Sequence, residues 1–405
     1  MDKPGIKVYG YRWFILSTYM LAVVLNQLLW ITFAPITSAA AAHYGVSELS
    51  IGLLSMSFMV AYLVVSIPAS WLIDTHGFRV AVGVGAGLTG VFGLMRGLVA
   101  FDYTLVLLAQ IGIAIGQPFI LNSITKVAAR WFPLEERAMA SGFGSLAIYL
   151  GILIGMLLTP YLTLQTGIAT MLLVYGVGAM IAAIVFLTVA REHPPSPPGP
   201  AEQEERVSML IGLKQVVRKK GFVRLMLVFF IGLGVFNSVT TWIEDILRPR
   251  GFSITQAGTA GGLMIAGGII GALILPTLSD RYRRRVPFIV LTLIGALLGL
   301  VGVTFAASTG LLLLSAFSLG FFLLSAGPIG FQHGAEIARP TPEGTSNGLL
   351  LLMGQISGIV FILSMDSLRV AATGAMTPSL IVLIGLMLLS VVMATRLEES
   401  TLLAG

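Results

Sequence analysis

The sequence predicts an all-α membrane protein of twelve transmembrane helices in two six-helix bundles. Three observations lead to this prediction. The 405-residue chain is 56% hydrophobic and only 10% charged, with a mean hydropathy of +0.95, whereas soluble domains carry about 25% charged residues. Apolar segments of about 20 residues, long enough to cross a bilayer core of about 30 Å, recur along the whole chain. A proline-rich, charged segment divides these apolar segments into two sets of six.

The apolar segments follow one another with short polar connections, and each is long enough to form a spanning helix. Some are longer than a perpendicular helix requires, so we expect those helices to tilt or to protrude from the membrane. The predicted spans cover approximately residues 13–42, 49–73, 79–101, 104–128, 136–161, 168–190, 222–246, 254–279, 286–307, 310–332, 344–366 and 375–395.

The segment between the sixth and seventh spans, residues 191–208, reads REHPPSPPGPAEQEERVS. Proline and charge at this density cannot be buried, so the segment is predicted to be a linker. The basic, amphipathic stretch that follows, residues 209–224, is predicted to lie on the membrane surface. The predicted domains are therefore an N-terminal bundle, a cytoplasmic linker with a surface helix, and a C-terminal bundle, over residues 1–190, 191–221 and 222–405.

The lysine and arginine residues predict the orientation of the chain. If the N-terminus is in the cytoplasm, 20 of the 24 basic residues fall on the cytoplasmic side and four fall outside. Cytoplasmic loops of membrane proteins are enriched in these residues, so both termini are predicted to be cytoplasmic. We expect a multi-pass protein of a prokaryotic plasma (inner) membrane. This distribution accounts for the net charge of +6 without a nucleic-acid partner.

The composition also argues against several classes of function. Cysteine is absent, which excludes disulfides, thiolate metal sites and a cysteine nucleophile. We find no cluster of acid, base and nucleophile, so an enzyme is not expected. A receptor built on the same architecture would need a soluble signalling domain or a long loop, and the sequence shows neither. No cofactor is predicted, a monomer is expected, and the scattered histidines predict no metal site: His43, His76, His193 and His333.

Two loops repeat one pattern in the two halves. The second span is followed by SWLIDTHGFRV (70–80) and the eighth by PTLSDRYRRRV (276–286). An aspartate at the end of each helix is followed by arginine, and such an aspartate can pair with arginine or cap a neighbouring helix. Because such a contact must break when the cytoplasmic side opens, we predict that Asp74, Arg79, Asp280 and Arg284 are gating residues. The alternative is that the arginines only satisfy the positive-inside rule.

The polar residues inside the spans are mostly neutral and are accompanied by aromatic rings. Neutral amides and aromatic faces can hold a cation without a counter-charge, because an ammonium group is attracted to the ring quadrupole. The alternative is that they only join helices to one another. On span one, Asn26 lies four residues before Trp30 and therefore on the same face. The candidate substrate-binding residues are Asn26, Trp30, Gln117, Tyr149, Asn237 and Gln355.

Within the predicted span limits, no aspartate, glutamate, lysine or histidine lies mid-helix. Ionisable groups inside a membrane are costly and usually functional. Glu336 lies at a predicted cytoplasmic helix end and Asp366 at an outer one. This arrangement disfavours proton-driven transport but leaves it open, with Glu336 or Asp366 as the titrating group.

The two repeated loops resemble, in part, the motif GxxxD(R/K)xGR(R/K) of the major facilitator superfamily, with Ser70 and Pro276 in place of the first glycine. Other segments are similar to the FLVCR-type branch of that superfamily, which includes choline and ethanolamine transporters first described as haem exporters and a lysosomal relative linked to pyridoxine. The segments that carry the resemblance are NQLLW (26–30), SMSFMVAYLVVSIPASWLIDTHGFR (55–79), GQPFILNSITKVAARWF (116–132) and PIGFQHGAEIARPTPEGTSNGLL (328–350).

The resemblance implies roles for individual residues. Trp30 matches the family's cation-facing tryptophan, Gln117 and Gln355 match its glutamines in helices four and eleven, and Glu336 matches the acid before the PEGTS corner. Choline-type members differ at two places: they have a tyrosine where Asn237 aligns, and an Asn-Gln pair near Ile148 and Tyr149. Parallel halves of this fold place the substrate site near the bilayer midplane.

The sequence and the resemblance together predict an alternating-access carrier of a small organic solute, embedded in lipid. The favoured substrate is a choline-like amine or quaternary ammonium, moved by facilitated diffusion. Trp30 would stack on the cation, Gln117 and Gln355 would orient its headgroup, and Asn26, Tyr149 and Asn237 would line the cavity. Asp74 and Asp280, with Glu336, would close the cytoplasmic gate. The alternative is a proton-coupled symporter or antiporter of another nutrient, metabolite or drug.

Overall fold

The structure is a computed structural model and describes residues 8–196, 216–341 and 343–399. These residues form α-helices and two short 3₁₀ turns, in agreement with the predicted all-α class. The helices are α1 (Arg12–Ile31), α2 (Thr37–Tyr44), α3 (Glu48–Leu98), α4 (Tyr103–Leu121), α5 (Ile124–Trp131), α6 (Leu134–Val189), α7 (Lys220–Thr241), α8 (Ile243–Leu247), α9 (Ile254–Tyr282), α10 (Val286–Phe305), α11 (Thr309–Ala338), α12 (Glu343–Ser367) and α13 (Thr377–Ala394).

Helices α3 and α6 are each interrupted by one glycine. They contain 51 and 56 residues, which at 1.5 Å per residue is more than twice the thickness of a bilayer core. Gly77 in α3 has φ 86° and ψ 170°, and Gly167 in α6 has φ 82° and ψ 165°. These backbone angles suit only glycine. Each long helix is therefore two spanning segments joined at a sharp bend.

The described part of the chain contains the predicted number of spans. Ten helical runs are long and apolar enough to cross a membrane, and α3 and α6 are among them. Dividing these two at their glycines gives twelve spanning segments. Large apolar side chains on their outer faces are exposed, for example Ile67 at 76% and Leu298 at 65%. Such surfaces are unfavourable in water and suit contact with lipid.

The chain forms two compact units, Met1–Glu204 and Glu205–Gly405. Residues 197–215, which include most of the predicted linker and the first part of the predicted surface stretch, lie outside the described residues. The predicted boundaries at residues 190 and 221 stay predictions. Description resumes at Val216, and α7 begins at Lys220.

Small residues allow the helices to approach closely within each unit. In the first unit, a Cβ on Gly85 of α3 would lie 2.6 Å from the backbone oxygen of Gly116 on α4, and the reverse distance is also 2.6 Å. In the second unit, a Cβ on Gly268 of α9 would overlap the Leu324 side chain of α11. Close contact through small residues is typical of membrane helix bundles.

Candidate functional site

Helix α1 carries two of the candidate residues, and both are bonded to α3. Asn26 is fully buried, and its Nδ2 donates to Thr89 Oγ1 at 3.0 Å, while its Oδ1 accepts from Gln27 Nε2 at 3.2 Å. Trp30 is 6% exposed, and its Nε1 donates to the backbone oxygen of Ser55 at 3.2 Å. The polar atoms of both side chains therefore join α1 to α3.

Gln117 on α4 lies at the same depth but has a different environment. Its neighbour Gly116 packs against α3: a Cβ on Gly116 would lie 3.2 Å from Thr89 Oγ1. Thr89 Oγ1 is also the atom that accepts the hydrogen bond from Asn26, so the two amides lie at a similar depth. The Gln117 side chain is 7% exposed and makes no hydrogen bond to the described residues. Its amide is therefore available to bind a solute.

Tyr149 on α6 is placed at this depth by the contact between α6 and α1. A Cβ on Gly151, two residues further along, would lie 2.7 Å from the Cβ of Gln27. The Tyr149 ring is partly buried, and its hydroxyl makes no hydrogen bond to the described residues. The first unit thus places Asn26, Gln117 and Tyr149 at a similar depth, and of these three only Asn26 forms side-chain hydrogen bonds with other described residues.

In the second unit, α7 and α12 likewise carry one hydrogen-bonded amide and one amide without a hydrogen bond to the described residues. Asn237 Nδ2 donates to the backbone oxygen of Gly354 at 3.1 Å and so joins the two helices. The adjacent residue, Gln355, is partly buried and has no hydrogen-bond partner among the described residues. The Gln355 amide is therefore the available polar group of this pair.

At the predicted cytoplasmic end of the first unit, Asp74 is exposed and lies 3.6 Å from Lys126 Nζ on α5. The side chain of Arg79 is exposed, and its backbone N–H donates to the Glu192 carboxylate at 2.8 Å. The cationic partner of Asp74 is thus Lys126, whereas the sequence pattern had paired Asp74 with Arg79. The bend at Gly77 lies between Asp74 and Arg79, so the two residues belong to different helical segments.

The corresponding end of the second unit holds a tighter ion cluster. Arg285 Nη1 pairs with Asp280, and Arg285 Nη2 lies 3.2 Å from Glu336 Oε1. Burial acts to lower the pKa of Arg285, but the hydrogen bonds and charges of Asp280 and Glu336 outweigh burial and raise it. Arg284, which the sequence pattern paired with Asp280, is exposed. The chain turns at Arg283, where φ is 50°, so that Arg285 is the arginine that faces the helix end.

A second repeat between the units was missed by sequence reasoning. Just after the last helix of each unit, a glutamate carboxylate accepts backbone N–H groups at the start of the unit's third spanning segment. Glu192 accepts from Phe78 and Arg79 at 3.2 and 2.8 Å, and Glu399 accepts from Arg285 and Val286 at 3.0 Å each. Carboxylates are favoured at helix N-termini. The available signal was an acid shortly after spans six and twelve.

The sequence that folds into this arrangement matches a known family. The model of the Major Facilitator Superfamily matches residues 19–362, which is most of the chain. The chain belongs to the Major Facilitator Superfamily. The superfamily match and the twelve spans identify it as an integral, multi-pass membrane transporter and not an enzyme.

Related proteins place this transporter in the FLVCR-like branch of the superfamily. It is 32% identical over 396 residues to Solute carrier family 49 member A3 of Xenopus tropicalis, covering 93% of this chain and 82% of that protein. It is 30% identical to the Choline/ethanolamine transporter FLVCR1 of Felis catus, covering 90% and 69%, and 27% identical to the human Choline/ethanolamine transporter FLVCR2. These relatives come from animals, so a prokaryotic inner membrane stays a prediction.

A solved structure supports the superfamily fold. A bacterial homologue of the human lysosomal transporter Spinster, in an inward-facing and unoccupied conformation, matches with a TM-score of 0.75. The two chains are 16% identical, and the match covers 96% of each. At this identity the similarity concerns the fold alone.

The transporter also buries charged side chains in both units. In the second unit, Asp245 is fully buried and lies 3.0 Å from Arg369 and 3.7 Å from Arg248. The guanidinium of Arg369 stacks over the Trp242 ring at 5.3 Å. In the first unit, Arg96 is fully buried and donates to Gln110 Oε1 at 2.6 Å and to the backbone oxygen of Leu29 at 3.0 Å. These clusters join neighbouring segments at the predicted outer ends of the two units.

Proposed function

We propose that the protein transports a choline-like amine or quaternary ammonium by facilitated diffusion in an alternating-access cycle. The observation that carries this proposal is that each unit holds, at a similar depth to its hydrogen-bonded asparagine, polar side chains that are able to bind a solute. Gln117, Tyr149 and Gln355 are neutral, partly or fully buried, and free of hydrogen bonds to the described residues. Relatives at 27–30% identity are named choline/ethanolamine transporters, which supports the same substrate class.

A neutral, aromatic site suits a cation that must be both bound and released. Aromatic faces attract a quaternary ammonium, and the interaction is strongest when water is excluded. A buried carboxylate would instead hold the cation strongly and oppose its release. A membrane potential supplies about 2.3 kcal/mol per charge per 100 mV, so uptake of a cation requires no coupling ion.

The proposed roles follow from the hydrogen bonds. Trp30, whose indole nitrogen is held by Ser55, presents a fixed ring to the cation. Gln117 and Gln355 orient the hydroxyl or headgroup, and Tyr149 contributes a second ring. Asn26 and Asn237 act indirectly, because their amides hold α1 against α3 and α7 against α12.

We propose that the ion pairs at the predicted cytoplasmic ends act in gating. Asp74 with Lys126, and Asp280 with Arg285 and Glu336, hold these ends in the present arrangement. Arg79 and Arg284 are exposed beside them and contribute positive charge. We further propose cytoplasmic termini and a monomeric carrier.

The test is uptake of labelled choline into proteoliposomes, together with ligand-induced thermal stabilisation of the purified protein. Choline and ethanolamine are expected to raise the melting temperature, whereas pyridoxine, haem and lactate are not; betaine, which adds a carboxylate to the same trimethylammonium group, measures how strictly the site selects a net cation. Trp30→Ala is expected to lower choline affinity at least tenfold, and Trp13→Ala, which alters an exposed tryptophan near the start of α1, serves as the control. Stabilisation by a neutral vitamin or an anion, but by no amine, would overturn the proposal.

The second candidate is proton-coupled transport of another nutrient, metabolite or drug. The buried carboxylate of Glu336, at the end of a spanning helix, favours it. Coupled transport predicts that a pH gradient drives substrate above its equilibrium concentration and that a protonophore abolishes this accumulation. Facilitated diffusion predicts that a pH gradient produces no accumulation of choline.

A further inference from the structure

A cavity of about 380 Å³ opens at the end of α11 in the second unit. It lies outside the layer of Asn237 and Gln355, next to the ion cluster of Arg285. Side chains from several elements line it, including Lys219, Phe222, His333, Glu336, Arg339 and Glu399. The cavity is large enough to admit water or a small solute.

His333 has an unusual environment in this cavity. Its imidazole belongs to the spanning helix α11 and is fully buried. Neither ring nitrogen has a hydrogen-bond partner in the described part of the chain. Buried polar groups are nearly always hydrogen-bonded, and ionisable groups inside membrane helices are usually functional. A buried imidazole with two unpartnered nitrogens beside a cavity therefore indicates a ligand.

The Glu336 carboxylate provides a matching acceptor. Its Oε1 accepts from Arg285 and from Gln332 Nε2, the latter at 3.1 Å, whereas its Oε2 has no partner among the described residues. Glu336 follows His333 by three residues on one helix, so the two side chains share a face. A protonated His333 could donate to this free oxygen.

Charged groups from each neighbouring element face the imidazole. Glu336 and Arg339 come from the C-terminal end of α11 and the residue after it, and Lys219 precedes α7. Lys219 donates to the backbone oxygens of Ile337 and Arg339, which orients its positive charge along the cavity wall. Arg285 precedes α10, and the segment after α13 contributes Glu398 and Glu399. The three carboxylates favour an added positive charge, and the three cations oppose it.

We propose that His333 and Glu336 form a proton-binding site. Its occupancy, set by the pH on the membrane side to which this cavity opens, controls the transport rate. When His333 binds a proton, the imidazolium donates to the free Oε2 of Glu336, and its positive charge repels the Arg285 guanidinium that is bonded to Oε1. The Arg285–Glu336 contact weakens, and the helix ends that it joins separate more readily. A proton suits the site because imidazole is the side chain whose charge changes in the physiological pH range. This control goes beyond the proposed choline transport and does not require proton movement across the membrane.

The direct test follows the imidazole itself and does not depend on the substrate. The chain has four histidines, so histidine labelled with ¹³C at Cε1 gives four NMR signals in detergent micelles. His333→Gln removes one signal and thereby assigns it. We expect the His333 signal to shift as the imidazole binds a proton on lowering the pH, and the midpoint of this shift to fall in Glu336→Gln, which loses the stabilising carboxylate. No titration, or an unchanged midpoint in Glu336→Gln, would overturn the proposal.

The functional test measures transport against pH on the cavity side at fixed membrane potential. Choline is a suitable probe because its quaternary ammonium does not titrate. We expect the wild-type rate to rise severalfold as the pH falls through the His333 midpoint, and the His333→Gln rate to be independent of pH. His193→Gln, which changes an exposed histidine, is the control and should retain the wild-type profile.

The outcomes of the two tests can be separated. If choline is not transported, the proposed substrate fails, and the NMR titration still decides whether His333 binds a proton. If choline is transported and the His333→Gln profile coincides with that of wild type, the proposed control is wrong. Melting temperatures of both variants show whether a flat profile reflects misfolding.

Discussion

At the scale of single residues, the neutral polar side chains divide into two groups by their hydrogen bonds. Asn26 and Asn237 bond across helix contacts, whereas Gln117 and Gln355 have no such partner among the described residues. Both groups carry a neutral carboxamide, on asparagine in one and on glutamine in the other, within apolar sequence. Their substitution should therefore affect different properties of the protein.

Asn26→Ala is expected to lower the free energy of unfolding by about 1–2 kcal/mol, because Thr89 and Gln27 lose a buried partner. Gln117→Met, which preserves volume, is expected to leave the melting temperature nearly unchanged and to raise the KM for choline. Thermal denaturation and uptake kinetics on the same preparations measure both effects. A KM effect of Gln117→Met no larger than that of an exposed-face substitution would argue against a binding role.

The buried carboxylate of Asp245 gives a second prediction at this scale. Asp245→Asn removes the carboxylate that Arg369 and Arg248 share, while Arg369 keeps Asp366 and Arg248 keeps Glu244. The cost is therefore expected at the lower end of that for breaking a buried pair, about 3 kcal/mol. We expect a large fall in melting temperature. Asp102→Asn is the matched control, because Asp102 is exposed at the N-cap of α4 and asparagine caps a helix equally well. Equal melting temperatures for the two variants would show that the Asp245 cluster does not stabilise the fold.

At the scale of helices, the bends in α3 and α6 use one backbone conformation in two environments. Both Gly77 and Gly167 have a positive φ that suits only glycine. At Gly77 an added Cβ would overlap the Glu192 carboxylate, whereas at Gly167 an added Cβ would point into open space, with no described group from another segment within 4 Å. The two bends therefore differ in whether they are held by a carboxylate from another segment.

Substitution by alanine separates these two contributions. Gly167→Ala should cost about 1–3 kcal/mol from backbone strain alone. Gly77→Ala should cost more, because it also displaces Glu192 from the N–H groups of Phe78 and Arg79. In a Glu192→Ala background, Gly77→Ala should cost no more than Gly167→Ala. A double-mutant cycle of melting temperatures for Gly77→Ala and Glu192→Ala measures this difference. Equal costs in the wild-type background would mean that the Glu192 contact is not stabilising.

At the scale of the whole molecule, the orientation in the membrane rests on the distribution of charge. The basic residues concentrate on one side of the predicted spans, with 20 on the side of the N-terminus and four on the other. The natural absence of cysteine makes the orientation easy to measure, because every introduced thiol is unique.

We expect Thr166→Cys, in the exposed connection within α6, to react with a membrane-impermeant maleimide in intact cells. His193→Cys, which follows α6, should react only after the cells are permeabilised. Both positions are exposed in the structure, so their intrinsic reactivities are comparable. The opposite labelling pattern would place both termini outside the cytoplasm.

The sequence by itself determined the helical class and the twelve spanning segments of this protein. The physical reason is local: in lipid each segment must satisfy its own backbone hydrogen bonds, so length and hydropathy suffice to identify a helix. The repeated aspartate loops were visible for the same reason, since each lies within a few residues of a helix end.

Only the tertiary structure decided which side chains meet. Asp280 pairs with Arg285 and not Arg284, Glu192 reaches the start of the third segment across more than 100 residues, and Asp245 meets Arg369 from 124 residues away. Hydropathy carries no information about such contacts. The residues adjacent in sequence to a buried amide or carboxylate do not show whether a distant helix supplies its hydrogen-bond partner. The distinction between Asn26, which is bonded, and Gln117, which is available, depends on helix packing.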